Sequence, residues 1–224
     1  MIYCFDFDDT LTEDEKNGNL KFFEENKYVK IPQVLKGLIK PLLYGYVGAS
    51  AQRCKLIQSE YPDLYRNFHY GAFCDPQVEG PHSKYGDLIF DVLGLILQKY
   101  VENITGLNLV FTYSYFRLYT KGTDLPLHKE GKSCEISISL CLGYSGEQWP
   151  LYMKETPVYM EPGDMVIYRG EDIPHWRKSL EGEYHAQAFL HYNDINGPYG
   201  EENLYDKRPS IGMPYDKTKY YGES

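Results

Sequence analysis

Positive charge is scarce in this chain of 224 residues: 23 lysines and arginines stand against 32 acids, a net charge of −9. No basic run is longer than two residues. Binding along a nucleic-acid backbone needs a basic face, so that partner class is not expected, while a single nucleotide in a pocket stays open. Cysteines are few and odd in number (Cys4, Cys54, Cys74, Cys134, Cys141), with no C-x-x-C spacing. That excludes a disulfide framework or a zinc-ribbon site and points to free thiols in a reducing compartment. Long apolar runs are missing as well. The most apolar stretch, Leu88 to Val101, is interrupted by Asp91, Gln98 and Lys99, so no membrane span is expected. The opening Met1-Ile2-Tyr3-Cys4-Phe5-Asp6 lacks the basic start of a secretory signal. There is no internal repeat, no heptad and no glycine every third residue. The chain reads as soluble and cytoplasmic.

The length suits one large domain. Such a chain buries roughly 70% of its unfolded surface and needs no covalent staple. Residues 1–26 read as an acidic, irregular N-terminal extension, residues 27–208 as a single domain, and 209–224 as an irregular C-terminal tail. Tyr28 to Ile31 reads as a strand ended by Pro32. Mixed three- and four-residue apolar steps from Gln33 to about Ser59 predict a helix broken near Pro41. Glycines and prolines between Tyr70 and Lys84 predict a loop. Asp87 to Asn103 carries an apolar stripe (Ile89, Phe90, Leu93, Leu97, Tyr100, Val101), and Gly106 closes that helix.

After residue 107 the character changes. Leu107 to Tyr119 is rich in aromatic and β-branched residues. Glu135 to Leu142 alternates, with Ile136, Ile138, Leu140 and Leu142 on one face. Further strands are expected at 150–153, 156–160, 165–169 and 183–192, separated by turns such as Glu161-Pro162-Gly163-Asp164. Many short strands with turn signals predict a sandwich or barrel, preceded by helices. From Asn193 onward little periodicity remains.

Six histidines are available. His128 and Glu130 lie two apart, so on a strand their side chains converge on one side. His175 follows 47 residues later, past the strand Met165-Val166-Ile167-Tyr168. Two neutral imidazoles and one carboxylate can hold one face of a ferrous ion and leave positions open for an oxidant and a co-substrate. His191 shares strand parity with His185, but its spacing suggests no ligand role.

This region resembles the 2-oxoglutarate- and Fe(II)-dependent dioxygenases, most closely the prolyl-hydroxylase-like branch with its bacterial and phage members. The resemblance spans about residues 27–208. It is carried by Tyr113-Ser114-Tyr115-Phe116-Arg117-Leu118-Tyr119, His128-Lys129-Glu130, Ser133-Cys134-Glu135-Ile136-Ser137, Pro162-Gly163-Asp164-Met165-Val166-Ile167-Tyr168, His175-Trp176-Arg177 and Ala188-Phe189-Leu190-His191-Tyr192. It implies a mainly β fold with supporting helices, a double-stranded β-helix (jelly-roll or cupin-like) core. It also implies iron held by His128, Glu130 and His175, 2-oxoglutarate as co-substrate, and O2-driven hydroxylation of a peptide side chain or small molecule with release of succinate and CO2. The chain departs from the family pattern twice. The carboxylate is Glu130 where relatives usually carry aspartate. The basic residue that relatives place about ten past the distal histidine, to anchor the co-substrate's far carboxylate, falls on His185. Arg177 or His185 is therefore the expected anchor, with the Tyr119 hydroxyl as a second donor.

Three other readings stay open. A β-helix binding module would keep the fold without turnover. A cupin-type dioxygenase would use no 2-oxoacid. The stretch Phe5-Asp6-Phe7-Asp8-Asp9-Thr10 resembles the D-x-D-x-T loop of haloacid-dehalogenase-like phosphatases, with Asp6 as nucleophile and Asp8 as acid/base. That fold needs several parallel strands and later lysine and aspartate motifs, which the all-β second half does not offer.

Overall fold

A computed structural model describes residues 11–65 and 69–214. Its first element is helix α1 (Glu13–Asn26), where the sequence suggested irregular chain. The reason is a capping box. Thr12 Oγ1 accepts from the Glu15 backbone N–H, and the Glu15 carboxylate accepts from the Thr12 N–H at 2.8 Å. Three acids in the first turn favour the same end of the helix dipole. Phe23 from this helix is fully buried in the main core.

Strand β1 (Tyr28–Ile31) follows as expected, but the next helix, α2 (Ile39–Glu60), starts later than the apolar steps suggest. Residues 33–38 are turns, with Gln33 and Gly37 at positive φ. Pro41 does not break α2. It lies in the first turn, where its missing N–H has no intrahelical partner to lose. A short helix α3 (Pro62–Tyr65) precedes the largest local departure from expectation. The segment 70–84 is not loop but holds strands β2 (Ala72–Cys74) and β3 (Glu79–Tyr85). Pro81 is tolerated because the pairing of β3 with its inner neighbour begins at His82, and the β2–β3 register shifts beside it. Helix α4 (Leu88–Thr105) is capped by Asp87 and closed by Gly106 at φ 70°.

The remaining strands are β4 (Leu109–Thr120), β5 (Leu125–His128), β6 (Ile136–Tyr144), β7 (Leu151–Met153), β8 (Thr156–Val158), β9 (Met165–Arg169), β10 (His175–Arg177) and β11 (Tyr184–Asp194). They form two antiparallel sheets. The larger runs β1-β9-β6-β11-β4-β3-β2 and the smaller β5-β10-β7-β8. The fold is thus mainly β with supporting helices, a double-stranded β-helix. It is not the parallel sheet that the phosphatase motif needs; Asp6, Asp8 and Thr10 lie outside the described residues. Beyond β11 the chain forms a 3-10 turn at Glu201–Lys207. No helix among the described residues is long and apolar enough to cross a membrane.

The alternation of β6 explains both cores. Ile136, Ile138, Leu140 and Leu142 face the helices and pack with Val47, Phe90 and Leu97. Cys141 faces the other way, between the sheets, with Tyr119, Leu151, Val166 and Tyr168. Ser137 and Ser139 share that inner face and are fully buried, so the polar half of the pattern points into the barrel and not to water.

The turn at Asp164 ties β1 to β9. Its carboxylate accepts from Gln33 N at 2.9 Å, Glu161 N at 3.0 Å and Lys30 Nζ at 2.8 Å. Burial pushes the carboxyl up, but the Lys30 ammonium and the N–H donors outweigh it and hold it below its ordinary range. A carboxylate depressed in the folded state adds stability above its unfolded pKa, about 3.9, and loses it as pH falls through the folded value. Asp164→Asn should therefore cost about 1.5–3 kcal/mol at pH 7, the worth of a charged hydrogen bond. Denaturant unfolding should show the gap from the parent closing below pH 4.

Candidate metal centre

The smaller sheet assembles the centre. His128, the last residue of β5, stands directly opposite His175, the first residue of β10. Their rings are 4.2 Å apart. Glu130 lies just past the end of β5, not on it, and reaches the same point because its backbone N–H donates to Gly170 O at 2.9 Å. Gly170 must be glycine for this approach. A Cβ there would lie 2.2 Å from Cys134 O and 2.8 Å from Glu130 Cβ.

Both rings are oriented by the backbone. His128 Nδ1 lies 2.7 Å from Pro126 O, and His175 Nδ1 lies 3.1 Å from Ile173 O. A carbonyl only accepts, so each Nδ1 carries a proton and each Nε2 turns toward the centre. Burial, with the His175 ring beside it, lowers the His128 pKa and keeps that ring neutral. His175 Nε2 and Glu130 Oε1 are 3.2 Å apart. With Nδ1 already committed, only a second ring proton or a cation can hold that contact. Burial pushes the Glu130 carboxyl up, yet its bond to His175 and the His191, His175 and His128 rings bring it down to about 2. Tyr168 donates to Glu130 Oε1 at 3.0 Å and fixes the carboxylate further.

Donor atoms of His128, Glu130 and His175 all lie within 4.8 Å of one another. Two imidazole nitrogens and one carboxylate on one face suit ferrous iron and leave open coordination positions. The donor set thus fits the metal that the sequence implied.

A cavity of about 280 Å³ opens on this triad. Its main wall is β4, where Tyr113, Tyr115, Arg117 and Tyr119 share one face by the two-residue period. Arg117 is buried and already matched. It pairs with Asp75, which also accepts from the Tyr115 hydroxyl, and it donates to the Tyr119 hydroxyl at 3.0 Å.

Of the proposed co-substrate residues, Tyr119 lines this cavity, whereas Arg177 and His185 do not. They lie behind its wall, both buried. Arg177 donates to Trp149 O at 2.6 Å and to Gln187 Oε1 at 3.2 Å, with its guanidinium 4.5 Å from the Trp149 ring. Gln187 in turn donates to Ser139 Oγ at 2.8 Å, and Ser139 faces the cavity. No carboxylate lies within ion-pair distance of Arg177 among the described residues. Burial lowers the Arg177 pKa to about 10, and burial with the adjacent Arg177 charge drives His185 well below its ordinary value. His191, set aside on spacing, also lines the cavity, as do Asp75 and Arg117. The alternation along β4 could have found Arg117, but Asp75 sits in a loop with no sequence signal of its own.

No protein-family model and no curated sequence matches the chain. Solved structures do match. A Pseudomonas putida prolyl-4-hydroxylase is 15% identical with a TM-score of 0.54, over 80% of this chain and 98% of its own. The non-haem α-ketoglutarate-dependent epimerase SnoN from nogalamycin biosynthesis is 12% identical with a TM-score of 0.60, over 92% and 97%. EctD from S. alaskensis with bound Fe is 14% identical with a TM-score of 0.59, over 93% and 88%. The chain therefore has the fold of the 2-oxoglutarate- and Fe(II)-dependent oxygenases, prolyl hydroxylases among them. Because an epimerase shares it, the fold by itself does not choose the reaction.

Proposed function

We propose that the protein is a non-haem Fe(II)- and 2-oxoglutarate-dependent oxygenase that hydroxylates a peptide side chain or small molecule with O2, releasing succinate and CO2. The observation that carries this reading is the triad itself, with two rings whose Nδ1 protons are spent on backbone carbonyls and one ionised carboxylate, at the mouth of an aromatic cavity. His128, Glu130 and His175 would hold the ferrous ion, which supplies activation of O2 and chelation of a 2-oxoacid. The chain's own task is to orient these ligands, exclude water and present a C–H bond. Four free cysteines among the described residues support a reducing, cytoplasmic setting.

The far carboxylate of 2-oxoglutarate is assigned to Arg177, with Tyr119 as second donor. A buried guanidinium with no carboxylate is costly unless a ligand completes it. Arg117 already has Asp75, and His185 is held neutral, so neither offers a free charge. Reaching Arg177 requires Gln187 to be displaced from Arg177 at 3.2 Å, His185 Nε2 at 2.7 Å and Ser139 Oγ at 2.8 Å, a loss of about 1 kcal/mol for each bond not remade to the ligand.

The test is succinate formation from 2-oxoglutarate with ferrous iron, across a panel of peptides and metabolites. Iron binding without succinate from any of them would leave a binding module, and oxygen uptake without succinate a cupin-type dioxygenase. Breaking a buried charge pair costs about 3–5 kcal/mol, so Arg177→Met should weaken 2-oxoglutarate binding by roughly two to three and a half decades. Unchanged affinity would move the anchor elsewhere.

A further inference from the structure

His191 is the one cavity histidine that the metal centre leaves unused. It lies on β11, is 3% exposed, and falls outside the group whose donor atoms lie within 4.8 Å. Its ring packs 4.6 Å from Tyr113. Nδ1 lies 2.9 Å from Ser137 Oγ, and that same hydroxyl lies 3.1 Å from Cys134 O. The carbonyl has no proton to give, so the single Ser137 proton goes to it. Ser137 can then only accept from His191, and Nδ1 must carry the ring proton. Burial lowers the ring's pKa and leaves Nε2 a bare lone pair. Among the described residues, the polar atoms sealed without a partner are His82 Nδ1, Arg117 Nε and His185 Nδ1, and His191 Nε2 is not among them. It faces the cavity.

Outside the triad, the charged groups of the wall are already committed to one another. The Tyr115 hydroxyl and Arg117 are spent on Asp75, whose other oxygen accepts from Gln77 N and Val78 N. Arg117 and Asp75 cancel each other's charge, Phe189, Leu125 and Leu151 contribute ring and aliphatic surface, and the Tyr119 hydroxyl, which accepts from Arg117, is assigned to the co-substrate. A cavity of about 280 Å³, shared with a co-substrate, admits only a small group.

We infer that His191 is the specificity-determining residue of this cavity: its bare Nε2 accepts a hydrogen bond from a neutral cyclic or aromatic substrate group that carries an N–H or O–H. Naming that group as the one oxidised rests on the oxygenase reading, but the recognition itself does not. Substrates that differ only by methylation of that donor are rejected, because the buried acceptor is left without its hydrogen bond.

Two measurements on the full-length, metal-free protein test this without turnover. The first is the 15N spectrum of the histidine rings, in which His191 should show a protonated Nδ1 and a bare Nε2. The second is binding of two probe pairs, indole against 1-methylindole and phenol against anisole. The parent should prefer the unmethylated member by about tenfold, or 1.4 kcal/mol. His191→Phe keeps a ring and should bring that ratio to about one. Ser137→Ala frees the ring to present N–H, and should reduce the preference even if His191→Phe fails to fold. An Nε2–H tautomer in the parent, equal binding within each pair, or no binding of either pair would overturn the inference. Absence of succinate with tautomer and preference intact would instead overturn the oxygenase reading alone.

Discussion

Alanine at His175 is expected to abolish ferrous binding, read as loss of a saturable signal in anaerobic titration of the full-length protein with a ferrous salt. The ring is preorganised. Ile173 O holds Nδ1, the Tyr168 ring packs 4.8 Å away, and His128 stands opposite across the sheet. Removing it leaves one imidazole and one carboxylate, below the three donors that the centre offers. The loss should exceed the about 10–100-fold that follows removal of an outer-shell partner. Tyr168→Phe is that outer-shell case, since only the hydroxyl on Glu130 is lost, and it should fall within that range. Glu130→Asp keeps the charge with one methylene less reach, so it should bind measurably, between the parent and His175→Ala. Metal should also stabilise the parent against unfolding by about 2.7 kcal/mol at a hundred times its dissociation constant, and His175→Ala not at all. Normal ferrous affinity in His175→Ala or His128→Ala would remove the triad.

The meeting of His128, Glu130 and His175 was legible because it follows from chain order. A strand ending in histidine, a carboxylate two residues on, and a histidine at the start of the partner strand need only antiparallel pairing to meet. The alternation of β6 and the closed helix α4 were legible for the same reason, since the two-residue and 3.6-residue periods are local. What local pattern could not show depends on pairing. Strand β3 carries Gly80 and Pro81, and it and the three-residue β2 look like loop until their sheet neighbour is known. Asp75 comes from the loop between them, so its meeting with Arg117 was invisible as well. Helix α1 is different: its Thr12 and Glu15 capping box is a local signal, and it starts the helix within an acidic stretch whose composition alone suggests irregular chain. His191 shows the limit of spacing arguments. Its spacing from the triad matches no ligand pattern, but β11 lies between β6 and β4, which places it beside Ser137 and over the same cavity.

Alanine at Asp91 should cost about 3–5 kcal/mol of folding stability, a large part of the 5–15 kcal/mol that a domain has in total. Asp91 lies in the first turn of α4 with no exposed surface. One oxygen accepts from the backbone N–H and hydroxyl of Ser114 on β4, at 3.0 and 2.6 Å. The other accepts from Arg208 Nη1 at 2.9 Å and from Gly212 N at 2.7 Å. Arg208 is itself buried and donates to the carbonyls of Thr112, Tyr205 and Met213. Removing the carboxylate strands this guanidinium, so the expected cost is that of an unpaired buried charge and not of one hydrogen bond. Replacing both partners by apolar residues of similar volume, Asp91→Leu with Arg208→Met, should recover much of the loss, since a buried pair often contributes little beyond its own desolvation. Urea unfolding of the parent, the two single variants and the double variant gives the coupling directly. A loss below about 1 kcal/mol in Asp91→Ala would mean that water reaches Arg208. The consequence extends to the cavity beside the triad. Ser114, held by Asp91 on the outer face of β4, lies between Tyr113 and Tyr115 on the inner face, so the pair that locks the chain after β11 onto α4 also sets the main wall of that cavity.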